Sequence, residues 1–285
     1  MKIRTYGWVQ NPSSFKSLKK VVQIFDVNSK HYADLKNNLV VNRIYFDDVK
    51  KGLLDKLNRN VGEFSYSELV GRNIGDNGKA PKSRSNSVGD SLIQISILPQ
   101  QTKNTGRKWT DNWTADGFLR WAVSFNFIEV DYKKDTYKIS TLGEKFSKTK
   151  DDSDDEIEII RRALLRYPPA TQVLSILSEE QTYRTKFYIG DKLGFRGEKG
   201  FTSYNEDIMF EWLETAKTND ERKKIKTDIE GTSDKYARGI SNWLKNVGFV
   251  KSATVYRGPV RKMRIYNVKG FFLTETPILT TLRNS

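Results

Sequence analysis

Two stretches of this chain carry one pattern, and that repetition limits the folds open to it. The first runs Thr114-x-Asp116, Trp121, Phe127-Ile128; the second runs Thr232-x-Asp234, Trp243, Phe249-Val250. Tryptophan precedes phenylalanine by six residues in both, and the second copy inserts four residues, about one helical turn, between Asp and Trp. Each copy leads into alternating segments that read as a hairpin. In the first these are 128–132 and 136–139, around Lys133-Lys134-Asp135; in the second, 250–256 and 261–268, around Arg257-Gly258-Pro259. A helix followed by a hairpin, twice over, predicts a mainly α fold with small β-hairpin wings: two tandem winged helix-turn-helix modules. Coincidence in a chain with 12% aromatic residues is the competing explanation.

The second copy lies in Glu230–Phe249. Ala237, Ile240, Trp243, Leu244 and Val247 fall at helical spacing. Thr232 or Ser233 suits the N-cap and Gly248 the C-terminal stop. Lys235 and Arg238 then fall in or near the first turn, where the helix dipole favours anions. A solvated amphipathic helix tolerates that arrangement. A recognition helix that points its N-terminal side chains into a DNA groove makes use of it.

Charge weighs toward the second reading. The net charge is +14, from 49 basic and 35 acidic residues. From Glu230 to the end, ten basic residues face three acids, which is half of that surplus. Such a surplus favours a polyanion, because Lys and Arg release the counterions condensed on phosphates; membranes and acidic proteins attract it too. No apolar run reaches the length of a membrane span and the N-terminus lacks a signal-peptide core, so neither membrane nor secretion is expected. The absence of cysteine removes disulfides and thiolate sites and is compatible with the cytoplasm, the expected location.

In chain order, residues 2–12 form a basic arm in which Pro12 keeps Asn11 extended. Helices are expected over 13–25, near 43–57 and near 65–70. Residues 71–87 form a long polar loop containing Lys82 and Arg84, and 90–98 is a short apolar segment, helix or strand. A second polar loop, 100–112, carries Gln100 and Lys108 and precedes a helix over 114–125. Six acids between Asp151 and Glu158 mark the expected boundary between domains 1–150 and 151–285. Beyond it, helices are expected over 157–167, 170–177 and 203–216.

Ile3-Arg-Thr-Tyr-Gly-Trp-Val-Gln-Asn-Pro12, Asp111-Asn-Trp-Thr-Ala-Asp-Gly-Phe-Leu-Arg-Trp121, Tyr167-Pro-Pro-Ala170, Gly200-Phe-Thr-Ser203 and Glu230-Gly-Thr-Ser-Asp-Lys-Tyr-Ala-Arg238 resemble the DNA-recognition region of the FokI-like type IIS restriction endonucleases. The similarity runs from Ile3 to about Val250 and covers the first two of that region's three subdomains. It implies recognition of the asymmetric duplex GGATG. It implies base-reading roles for Arg84, Gln100 and Trp113 in the first module and for Glu230, Lys235 and Arg238 in the second. Gln10 and Asn11 match the arm that grips DNA. At Thr227 the family has asparagine, and the loop 73–86 is longer here. Lys82, Lys108, Arg257 and Arg261 are expected to meet phosphates from loops and wings.

The side-chain chemistry suits that implication. Arg and Lys match the O6/N7 face of guanine, Gln matches adenine, and Glu accepts from the cytosine amino group. The resemblance places cleavage, with its Mg²⁺, in a separate nuclease domain of the same protein or of another chain. Asp-x-Lys triplets such as Asp48-Val-Lys50 and Asp131-Tyr-Lys133 are what chance supplies in a chain this charged, and neither of these is assigned to catalysis. His31, the single histidine, is read as packing or surface. No catalytic, cofactor or small-molecule site is expected. The alternatives are a shortened metal-dependent endonuclease and a winged-helix transcriptional repressor.

Overall fold

The computed structural model describes residues 9, 12, 14–42, 47–71, 91–97, 109–180, 183–193, 206–222, 232–257 and 260–268. Two compact units divide between Ile159 and Ile160. The first contains α1 (Phe15–Gln23), α2 (Lys30–Asn42), α3 (Asp47–Asn58), β1 (Glu63–Phe64), α4 (Tyr66–Val70), α5 (Leu92–Ser96), α6 (Asn112–Ser124), β2 (Ile128–Asp131), β3 (Thr136–Ile139) and α7 (Thr141–Ser147). The division falls inside α8 (Asp154–Leu165). The second unit continues with α9 (Pro168–Glu180), β4 (Arg184–Thr185), α10 (Lys186–Lys192), α11 (Glu206–Thr215), α12 (Thr232–Asn246), β5 (Val250–Arg257) and β6 (Val260–Val268).

The repeated Trp-to-Phe spacing has a local cause. α6 ends with Asn126 at φ 57° and α12 with Gly248 at φ 87°, both left-handed. Phe127 N–H donates to the Ala122 carbonyl at 2.9 Å and Asn126 N–H to Val123 at 2.9 Å. At the other helix Phe249 N–H donates to Leu244 at 2.9 Å and Gly248 N–H to Lys245 at 3.0 Å. These are two Schellman caps, in which the residue just past the left-handed turn is apolar and packs toward the last helical turns. Trp121 and Trp243 occupy the equivalent place one turn inside, and both are buried. A six-residue interval is one of the two spacings at which an apolar residue accompanies this cap.

Each cap turns the chain into a hairpin, and each hairpin gains a two-residue third strand. In the first unit the order is β1-β3-β2, antiparallel, with Phe64 opposite Tyr137 and Ile128 opposite Ile139. In the second it is β4-β6-β5, with Arg184 opposite Tyr266 and Ser252 opposite Tyr266. A short helix follows each added strand directly. Ser65 caps α4 through a full capping box with Glu68, and Thr185 caps α10 by accepting from Tyr188 N–H at 3.2 Å.

Trp121 centres the core of the first unit. Phe15 lies 5.2 Å from it, Phe118 5.9 Å and Phe125 5.6 Å, while Phe127 stacks on Phe146 at 4.4 Å. Beside this aromatic chain runs a buried ion pair: Lys19 Nζ reaches Glu156 Oε1 at 2.6 Å, with both side chains almost fully covered. Lys19 also donates to Asp151 at 2.8 Å and to the Thr149 carbonyl at 3.0 Å, and its ammonium sits 5.7 Å from the Phe146 ring. In the second unit Trp243 packs near Tyr167 at 6.4 Å, and Arg161 donates to the Val247 carbonyl at 2.9 Å.

Several elements differ from the sequence reading. Of the helix expected near 43–57, α3 covers Asp47–Asn58, and residues 43–46 lie outside the described residues; α2 is an added helix, with Tyr32 and Leu35 buried among its residues of described burial. α8 starts three residues early because Asp154, Asp155 and Glu156 favour its N-terminus. Pro168 and Pro169 start α9, as their place before 170–177 suggests, and the helix runs on to Glu180. Of the two forms open to 90–98, Leu92–Ser96 takes the helix, α5. β1, β4, α7 and α10 were also unanticipated.

Candidate nucleic-acid interface

α12 buries one side and opens the other. Tyr236, Ala237, Ile240, Ser241, Trp243, Leu244 and Val247 are buried. Lys235 is half-buried, Arg238 and Lys245 are exposed, and Asn242 accepts from the Tyr266 hydroxyl at 3.1 Å. In the first turn Asp234 is fully buried, so its carboxylate stands at the positive end of the helix dipole while Lys235 beside it turns outward. α10 packs closely on this turn. A Cβ placed on Gly190 would strike the Asp234 carboxylate and stand 3.0 Å from its backbone nitrogen and 3.1 Å from its Cα.

α6 repeats the arrangement in the first unit. Asp111 caps it by accepting from Thr114 N–H at 2.9 Å. Asp116 is buried and accepts from the Tyr66 hydroxyl of α4 at 2.8 Å. Ala115, Phe118, Leu119, Trp121 and Ala122 face the core, whereas Trp113 is 45% exposed, among the largest exposures of an apolar side chain described. Arg120, half-buried, follows Trp113 by seven residues. The partly exposed indole of Trp113 gives the start of α6 an aromatic surface.

Of the residues singled out from sequence, Trp113, Lys235 and Arg238 thus lie on the open sides of α6 and α12. Arg257 ends β5 and Arg261 is the second residue of β6, both in the hairpin of the second unit. Gln10, Asn11, Lys82, Arg84, Gln100, Lys108 and Glu230, with Thr227, lie outside the described residues. The aspartates of the repeated Thr-x-Asp pattern were visible in the sequence without a role. Their burial against α4 and α10 supplies one: each ties its long helix to the short helix packed on it.

The side chains of Asp48 and Lys50 lie outside those described. The Asp131 carboxylate accepts from Lys133 N–H at 2.9 Å and Lys134 N–H at 3.2 Å, holding its own hairpin turn. Among the described residues no three His, Cys, Asp or Glu side chains converge as metal ligands. No described helix is long and apolar enough to cross a membrane. Burial, with Lys20 nearby, pushes the His31 imidazole down to about 4, so it is neutral near pH 7.

Residues 4–149 match the family described as FokI, recognition domain, subdomain 1, and residues 156–261 match FokI, recognition domain, subdomain 2. This chain belongs to the FokI recognition-domain family. It is 42% identical over 250 residues to the type II restriction enzyme FokI of Planomicrobium okeanokoites, a match covering 88% of this chain and 41% of that protein. The type II restriction enzyme StsI of Streptococcus sanguinis is 26% identical over 257 residues, covering 87% and 40%. FokI solved bound to DNA superposes with a TM-score of 0.84 at 38% identity, covering 100% of this chain and 48% of that one. A second FokI structure gives a TM-score of 0.80 at 38% identity, covering 95% of this chain and 46% of that one. The chain spans about two-fifths of the length of the curated FokI relatives it matches.

Proposed function

We propose that this chain binds double-stranded DNA sequence-specifically, as the recognition part of a type IIS restriction endonuclease, and reads GGATG. The observation that carries this is the cationic open side of α12: Lys235 and Arg238 face outward in the same two turns whose inner side is sealed by Asp234. Each compact unit acts as a winged helix-turn-helix reader, with α4 and α6 in the first and α10 and α12 in the second as the helix pairs. The hairpins β2–β3 and β5–β6 are the wings. Trp113, Lys235 and Arg238, together with Arg84, Gln100 and Glu230, read bases. Gln10, Asn11, Lys82, Lys108, Arg257 and Arg261 hold phosphates and fix the register. Similarity to the restriction endonuclease FokI, whose structure was solved bound to DNA, supports the reading. Cleavage and its Mg²⁺ belong to a nuclease domain beyond this stretch, in the same protein or another chain.

Fluorescence anisotropy with a labelled GGATG duplex, competed by the same duplex with scrambled site, tests the proposal. Preferential binding to the intact site is expected. Equal competition by the scrambled duplex overturns sequence-specific recognition, and cutting by this chain with Mg²⁺ overturns the assignment of cleavage elsewhere.

A further inference from the structure

We infer that Arg120 is a further base-reading residue of the first unit, the counterpart on α6 of Arg238 on α12; this rests on the DNA-binding reading above. The buried aspartates give the two helices a common reference. Asp116 is pinned by the Tyr66 hydroxyl at 2.8 Å, and Asp234 is pressed against Gly190. Counted from them, the residue four positions on is arginine in both helices: Arg120 and Arg238. Four residues advance the helix by about 400°, so each arginine stands only about 40° round from its buried aspartate, at the edge of the open side. Arg238 there is exposed and Arg120 half-buried.

Trp113 marks the same stripe from the other end. Seven residues amount to nearly two full turns, so Arg120 returns to the side of the 45% exposed indole, about 10.5 Å further along the axis. A helix lying in a major groove spreads its reading side chains over that interval, as the seven-residue span of homeodomain contacts does. Base pairs repeat every ~3.4 Å, so Trp113 and Arg120 address base pairs about three steps apart. The planar guanidinium fork fits the O6 and N7 atoms of guanine in two parallel hydrogen bonds, which a lysine ammonium cannot reproduce. The sequence concealed this residue because Arg120 sits next to Trp121 in an otherwise apolar run, where it reads as a snorkelling surface cation.

The test uses the whole chain, titrated against a GGATG duplex and against duplexes in which each base pair of the site is exchanged singly. Arg120→Ala and Arg120→Lys are compared with the unaltered chain, and thermal melts check that both variants fold. The expected result is that both bind the intact site about 5–150-fold more weakly, the range one lost bidentate pair produces. Both also lose discrimination at one guanine-containing pair while keeping it elsewhere. If Arg120→Ala weakens every duplex equally and Arg120→Lys restores binding, the residue is a phosphate contact and the inference fails. It fails also if neither variant changes affinity. A failure of the underlying reading is distinguishable, because then the unaltered chain itself shows no preference for the site.

Discussion

Replacing Lys19 by methionine removes one partner of a buried pair and leaves the other in place. The Lys19 and Glu156 side chains are 4% and 3% exposed and their charged atoms are 2.6 Å apart. Water cannot reach Glu156 to compensate, although its second oxygen still accepts from Asp152 N–H at 2.6 Å. The Thr149 carbonyl also loses its donor. Breaking a buried pair from one side costs about 3–5 kcal/mol, a large part of the ~5–15 kcal/mol that holds a typical domain together. Replacing both residues, Lys19→Met with Glu156→Leu, removes the stranded charge, and the double variant should recover to within about 1 kcal/mol of the parent or exceed it. Asp151 touches the same ammonium at 2.8 Å but is 56% exposed, so Asp151→Asn should cost less than about 1 kcal/mol. Urea denaturation followed by tryptophan fluorescence measures all three, because Trp121 is buried in the core of the unit that holds the pair. A double variant as unstable as Lys19→Met would refute the argument from desolvation, and so would equal losses for Lys19→Met and Asp151→Asn.

Four other outcomes can be checked. Tyr66→Phe deletes the hydroxyl that donates to buried Asp116 and should cost about 1.5–3 kcal/mol in denaturant titration, since the acceptor is charged. Gly190→Ala forces α10 and α12 apart at Asp234; a loss of about 1–3 kcal/mol is expected, with site preference falling more than affinity for scrambled duplex. His31, whose folded value near 4 lies below the 6.5 of the unfolded chain, takes up its proton more readily on unfolding, so stability falls as pH drops from 6.5 to 4. The shift corresponds to at most about 3 kcal/mol, and His31→Gln should flatten that part of the pH–stability curve. Trp113→Ala should weaken binding to the intact site more than binding to scrambled duplex, with a thermal melt checking that the variant folds.

Local chemistry was readable in the chain. The paired Trp and Phe positions, the left-handed residues between them and the alternation that follows are dictated by neighbours within a few residues, so α6, α12 and both hairpins could be inferred. So could the outward cations Lys235 and Arg238, since a helix with one apolar side leaves its other side open. The added strands β1 and β4 could not, because two residues carry no period and only the partner strands, Tyr137 and Tyr266 opposite, define them. α10 was hidden for a similar reason: with seven residues, two of them Gly190 and Asp191, it forms because it is capped and pressed on α12. Lys19 and Glu156 lie far apart in sequence, and each alone reads as a solvated charge. Whether a charge meets water or its opposite depends on which distant surfaces close over it, and only the packed chain decides that.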